Sequence, residues 1–338
     1  MGYATLWLCA FGVLFTGYLV LAGIDYGVGL VLPHVAREDG ERRLALNAVG
    51  PFFLGNEVWL LVAVGTMIGT LPGLESRLLT GAYPLAIVAM VGVVVVNVSV
   101  QLRSRSTGSG ARSFWDAVVF GGAAAAAFGW GALLAALAGG VDLDAAGSVT
   151  GSAGSVTPLS LLGGVTAMVL FAAHGAVFLT ARAYGAVAER ARRAVPVLSA
   201  AAGLLLLATL VVAMSGGLPD GAFRHPVFAV VALLGVLAVL AVAVWCTSRA
   251  AAWQAFAASA TAVALAPVAV VAGKYPALIT PRGSGLRAPA TEELAGSSTS
   301  LALITWTAGP VLLLVIAVQA YAWWIFRGRM TSRSPVFY

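Results

Sequence analysis

The chain has 338 residues, of which 60% are hydrophobic and 9% charged, with 19 Lys+Arg against 13 Asp+Glu and a mean hydropathy of +0.97. Soluble domains carry about 25% charged residues, so the composition excludes a water-soluble globular protein and describes a polytopic membrane protein. The sequence pI near 9.7 does not call for a nucleic acid, because no basic and aromatic surface pattern accompanies it.

A hydrocarbon core of about 30 Å takes roughly 20 apolar residues per helix. The sequence supplies nine such stretches, near 4–32, 48–71, 79–101, 114–139, 157–181, 195–215, 227–246, 251–272 and 299–326. They predict an all-α integral membrane domain over 1–338, with nine transmembrane helices in two packed helix bundles. The first run has no basic residue before it and is too long for a cleavable signal, so it is expected to be retained. Late in it stands Ala22-Gly23-Ile24-Asp25-Tyr26-Gly27-Val28-Gly29. Glu41-Arg42-Arg43 follows in a hairpin, where a charge run reads as a solvated face, and Asn47 comes next. The second run contains Gly50-Pro51-Phe52-Phe53-Leu54-Gly55-Asn56-Glu57-Val58-Trp59.

Trp115 and Asp116 open the fourth run, where an acid suits the positive end of the helix dipole. Gly121, Gly122, Gly129 and Gly131 in that run predict close helix packing rather than a channel lining. The fifth run carries His174 between Ala173 and Gly175. The longest connections, near 140–156 and 273–298, are rich in Gly, Ser, Pro and Thr, and the second has the length for a small external cap. The last run holds Trp306, Trp323 and Trp324. Its final Trp pair, with Arg327 and Arg329, reads as an interfacial anchor.

Basic residues alternate between connections. Those after the first, third, fifth and seventh runs, with the C-terminal tail, hold 14 Lys and Arg, and the opposite side holds five. Basic residues near membrane ends stay cytoplasmic, so the N-terminus is expected outside and the C-terminus inside. Cys9 and Cys246 fall near opposite membrane faces, which excludes a disulfide. No CxxC or Cys/His cluster suggests a metal or covalent haem site, and no nucleotide fingerprint or nucleophile triad is present.

Only Asp25, Glu57 and His174 are ionisable and well inside the apolar runs. A charge at the bilayer centre costs roughly 3 kcal/mol on insertion-based scales, so such residues point first to ion or proton pathways. Asp25 could alternatively cap a broken helix, Glu57 could make a structural hydrogen bond, and His174 could be a packing histidine. Asn56 adds a buried amide beside Glu57, and Trp59 adds an indole donor. At about 1.5 Å per residue, all three lie roughly 12–14 Å from the basic ends of their helices. The shared depth predicts a polar cluster or short proton path, if the helices are neighbours.

Gly23-Ile24-Asp25-Tyr26-Gly27-Val28-Gly29, Glu41-Arg42-Arg43, Asn47, Pro51 and Gly55-Asn56-Glu57-Val58-Trp59 together resemble the N-terminal signature of subunit II of cytochrome bd-type quinol oxidases. That family reads G-F-D-x-G-V-G, E-R-R, N, then P-x-W-D-G-N-[QE]-V-W. Weaker matches at Leu161-Leu162-Gly163-Gly164, His174-Gly175-Ala176, Tyr275-Pro276 and Thr305-Trp306 extend the likeness over nearly the whole chain, as a divergent member. The resemblance implies a bacterial plasma-membrane subunit that pairs with a haem-bearing subunit I and reduces O₂ with electrons from quinol. Haem b and haem d, and the main quinol site, are then expected in subunit I. This chain would hold no haem or metal and no catalytic residue of its own, while assisting cytoplasmic proton uptake. A bound quinone or lipid and a small accessory subunit are compatible with it. Two positions depart from the family pattern: Leu54 replaces an aspartate associated with proton passage, and Ala22 replaces a common acid. The alternatives are a scaffold subunit without a proton role and a proton-coupled transporter.

Overall fold

The computed structural model describes residues 2–219, 221–282 and 286–330. Among these residues nine helices are long and apolar enough to cross a membrane, the number expected from hydropathy. In chain order the helices are α1 (Tyr3–Val35), α2 (Asp39–Thr70), α3 (Pro72–Gly81), α4 (Tyr83–Arg105), α5 (Ser109–Gly139), α6 (Pro158–Arg182), α7 (Gly185–Val212), α8 (Pro226–Ser248), α9 (Ala252–Lys274), α10 (Thr291–Leu294) and α11 (Ser298–Phe326). The short α3 and α10 do not span. The most extensive pairings are α4 on α5, α8 on α9, α6 on α7 and α5 on α6, ahead of α1 on α2 and α1 on α6; the two expected bundles, α1 to α5 and α6 to α9, are therefore continuous through α6 rather than separate.

Helix α1 is the centre, because each of its faces meets a different neighbour. Gly17, Leu21 and Asp25, at i, i+4 and i+8, face α2: Gly17 lies under the Trp59 ring, and Asn56 bonds Leu21 and Asp25. Val20, Gly23 and Gly27 face α6 through His174, Phe171 and Gly175. Gly29 faces α5, where an added Cβ would stand 2.8 Å from that of Ala123. At the α1–α6 crossing a Cβ on Gly27 would stand 2.7 Å from the Gly175 backbone nitrogen. Only glycine permits that approach. The α5 glycines serve packing too, since a Cβ on Gly122 would lie 2.7 Å from the Val96 nitrogen.

Two helices start earlier than expected, α2 at Asp39 and α7 at Gly185. Both extend past the apolar run into a charged layer. Glu38 and Glu41 form a capping box that starts α2 ahead of its hydrophobic stretch. Glu41 is not part of a solvated face, because it receives Arg190 from α7. Asp116 also departs from its expected role. Since α5 begins at Ser109, Asp116 lies about two turns in. There it holds two arginines: Arg42 Nη1 donates at 2.8 Å, and the buried Arg103 donates its Nε. Arg103 also reaches Asp39 at 2.9 Å, and Arg112 reaches Asp39 at 2.7 Å. This network ties α2, α4 and α5 at the basic end.

At the other end the two long connections meet, with Val141–Asp142 pairing in parallel with Pro281–Arg282. Lys274, fully buried there, donates to the carbonyls of Ala138 and Ala222 and to Thr280 Oγ1. An apolar cavity of about 810 Å³ opens between the N-terminal half of α1 and helices α2, α3, α4, α5, α8 and α9, with Phe11, Phe15, Met67, Trp130, Phe228 and Val271 in its wall. Cys9 lines the cavity, and Cys9 and Cys246 are free thiols.

Helix α11 lies on the outside, and Leu301 is its only buried residue among those described. It is tied at three levels. Trp7 Nε1 donates to Leu301 O and to Thr305 Oγ1 near its start, Gln319 bonds Asn56 in the middle, and Arg182 donates to the carbonyls of Phe326 and Gly328 at its end. Trp323 is not an interfacial anchor. It stacks on Phe52 at 4.1 Å and packs against Phe256, and Trp324 alone faces outward with Arg327 over its ring.

Candidate functional site

The i, i+4 spacing on α1 turns Asp25 to α2, and Asn56 answers it. Asn56, with no exposed surface, donates through Nδ2 to Asp25 Oδ2 at 3.0 Å and to Leu21 O at 3.1 Å. Its Oδ1 accepts from Gln319 Nε2 of α11 at 3.2 Å. Asp25 is 4% exposed, and its second oxygen, Oδ1, is buried with no hydrogen-bond partner among the described residues. Buried polar atoms without partners are uncommon. This one sits on a carboxyl group in the middle of an apolar protein.

Glu57, the next residue along α2, is half-buried. Asn97 of α4 donates to its Oε1 at 3.1 Å and also back to Val93 O. The Tyr26 hydroxyl lies within reach of the Glu57 carboxylate. Tyr26 in turn shares a hydrogen bond with Tyr18, and Trp130 Nε1 donates to the Tyr18 oxygen at 3.1 Å. An indole nitrogen only donates, so the Tyr18 oxygen accepts from Trp130, while either hydroxyl can be the donor between Tyr18 and Tyr26. Asp25 and Glu57 are close enough to interact electrostatically. The two carboxyl groups form one cluster with Asn56, Asn97, Gln319 and Tyr26.

His174 stands apart from this cluster. Its Nε2 meets Val20 O at 3.1 Å, which requires the hydrogen on Nε2 because a carbonyl only accepts. Its Nδ1 meets Ser259 Oγ at 2.8 Å, and the ring stacks on Phe256 at 5.2 Å. With both ring nitrogens engaged and the side chain fully buried, axial ligation of a haem iron would require breaking a protein hydrogen bond. Among the described residues no group of three or more His, Cys, Asp or Glu could hold a metal ion.

The supporting motif residues take distinct places. Gly55 faces α11, where an added Cβ would stand 2.9 Å from Gln319 Oε1. Trp59 packs its ring over Gly17, but its indole nitrogen is buried with no partner among the described residues, so within them it is not the hydrogen-bond donor that the sequence suggested. Asn47 is buried on α2, nearer the basic end. Leu54 is 64% exposed, on the uncovered face of α2 that Glu57 borders together with Val58 and Leu61. Asn97, Gln319, Tyr18 and Tyr26 were not singled out by sequence. The one available signal was that Asn97 and Gln319 are amides inside apolar runs.

Comparison with known proteins identifies the family. The family model for cytochrome bd terminal oxidase subunit II matches residues 3–326. The cytochrome bd ubiquinol oxidase subunit 2 of Bacillus subtilis (strain 168) is 27% identical over 339 residues, covering 98% of each chain. The cytochrome bd-I ubiquinol oxidase subunit 2 of Escherichia coli (strain K12) is 25% identical over 363 residues, covering 97% of this chain and 95% of the relative. A probable cytochrome oxidase subunit 2 of Haemophilus influenzae is 29% identical over 185 residues, about half of each chain. With nine apolar helices and a family match over nearly its whole length, the chain is a multi-pass membrane protein belonging to the cytochrome bd terminal oxidase subunit II family.

Proposed function

We propose that this chain supports a haem-bearing subunit I in a quinol:O₂ oxidoreductase and that its Asp25–Glu57 cluster takes part in proton uptake. One observation carries the reading. Two carboxyl groups within electrostatic range of each other, Asp25 bonded to Asn56 and Glu57 to Asn97, lie inside an apolar protein, and one carboxyl oxygen, Asp25 Oδ1, has no partner among the described residues. Retaining such groups in hydrocarbon is costly unless they act. Proton exchange needs an acid with an accessible oxygen within reach of donors and acceptors, and Asp25 and Glu57 together offer that. His174 has both nitrogens committed, so we assign it a packing role and exclude it from the path.

The half-buried Glu57 and Asn97 open onto an apolar face carrying Leu54, Val58, Leu61, Val94 and Val98. Amide and carboxyl groups on such a face are better covered by a protein partner than by lipid, which supports docking of subunit I there. Leu54, at the position where the family pattern that the sequence resembles has an aspartate, cannot pass a proton, so the path would rest on Glu57 and Asp25. Haem b and haem d would belong to subunit I. The apolar cavity suits the tail of a lipid or quinone, and a small accessory subunit is compatible with the exposed flank of α11. The charge asymmetry supports an outside N-terminus and a cytoplasmic C-terminus.

The test is the assembled oxidase with Asp25→Asn and Glu57→Gln. Normal haem content with impaired O₂ consumption in either variant is expected. Unchanged turnover in both would leave only the scaffold role, which the apolar Leu54 favours. Purification of a stable homo-oligomer that moves a solute, with no haem-bearing partner, would instead indicate a transporter.

A further inference from the structure

We propose that Gln319 is a positioning residue for Asp25, acting through the Asn56 amide, so that α11 belongs to the proton-handling cluster by this one side chain. The proposal rests on the functional reading above for its consequence in turnover, but its geometry stands alone. Asn56 Nδ2 spends its two hydrogens on Asp25 Oδ2 and Leu21 O, and Asn56 Oδ1 accepts from Gln319 Nε2. Every polar atom of this amide is then satisfied, in one orientation. A flip would aim Oδ1 at the Leu21 carbonyl, which can only accept, and at the Asp25 carboxylate, which can donate only when protonated.

Three further observations single out Gln319. It is the only amide in the apolar part of α11 from Val311 to Ile325, and an amide there is unfavourable unless it is paired. Gly55 leaves the space it occupies, since a Cβ on Gly55 would stand 2.9 Å from Gln319 Oε1. In addition, Gln319 falls on the inward stripe of α11 with Leu312, Ile316 and Trp323, which pack against the core, so its amide is the polar member of an otherwise apolar seam. The glycine and asparagine of Gly55-Asn56-Glu57 thus act as a pair: one admits the Gln319 side chain and the other receives its hydrogen. Asp25 Oδ2 is fixed by Asn56, which leaves Oδ1 as the oxygen that exchanges a proton.

The experiment uses the whole oxidase with Gln319→Leu, which keeps the bulk and removes the amide. The Asp25 carboxyl stretch is identified by infrared difference spectroscopy from its loss in Asp25→Asn, using carboxyl-labelled aspartate. The expected result is a shift of that band and a displaced pH profile of kcat, with quinol KM and haem content retained. An unmoved band and an unchanged pH profile would overturn the proposal. Failure of the proton reading looks different, because the band would shift in Gln319→Leu while Asp25→Asn left turnover intact. If Gln319→Leu does not assemble, Gly55→Ala pushes on the same amide from α2 and should shift the band likewise. A stationary band in Gly55→Ala would then count against the proposal.

Discussion

Asp116→Asn is expected to be among the more damaging single changes at the basic end, and its size follows from burial. The side chains of Arg103 and Asp116 are 2% and 10% exposed. Removing one partner of a buried pair costs roughly 3–5 kcal/mol, because a buried charge is left uncompensated. Arg103 keeps its bond to Asp39 at 2.9 Å, which brings the expected cost to the lower bound, about 3 kcal/mol. Asp39 is 41% exposed, and exposed pairs contribute about 0.2–1 kcal/mol each, so Asp39→Asn should cost about 1 kcal/mol. The gap of about 2 kcal/mol corresponds to roughly a 30-fold difference in the folding equilibrium. The double variant Arg103→Met with Asp116→Leu removes both buried charges and should recover most of the loss, since well-packed apolar replacements of buried pairs are often neutral. Unfolding of the purified protein in mixed micelles of mild detergent and SDS, followed by circular dichroism, gives the three midpoints. Equal midpoints for Asp116→Asn and Asp39→Asn, or a double variant worse than the single, would refute the argument.

Two other substitutions test the centre of the fold. Gly27→Ala sets a methyl against the backbone of α6, where no rotamer change can relieve it; a loss of about 1–3 kcal/mol is expected from overpacking, measured by the same unfolding assay, and a neutral result would contradict the close crossing. Trp59→Phe removes an indole nitrogen that has no partner among the described residues, so oxidase turnover should stay near wild type with a stability cost of about 1 kcal/mol from lost volume. A large fall in turnover would mean that the indole donates to a group in the working complex.

Much of this fold can be read from hydropathy, because a span must be apolar over the bilayer thickness whatever its neighbours are. The early starts of α2 and α7 cannot, since helices continue into the charged layer once the apolar criterion has ended. Glu38 and Glu41 were the local clue for α2. Within the site, Asp25, Asn56 and Glu57 stood out as polar groups in apolar surroundings, and the structure gathers them. His174 shared their depth but lies on the α6 side of α1, a distinction that depth cannot make. Gln319 stood in an apolar run as an amide, but its partner could not be read, because it pairs with a residue 263 positions away. A lysine at a helix end ordinarily extends to the surface, but Lys274 does not. It is buried because residues such as Ala222 and Thr280 from separate connections close over it.

The crowded surroundings of α1 also bear on how the protein is made. When α1 leaves the ribosome, Gly175 is still to be synthesised, and Asp25 has nothing to bond until Asn56 follows 31 residues later. An acid alone in lipid is penalised by roughly 3 kcal/mol, so α1 and α2 enter the bilayer most cheaply as a hairpin with the amide already on the carboxylate. The side towards α6 is then only a glycine notch, Gly23 and Gly27, which lipid tails can fill until the second bundle arrives.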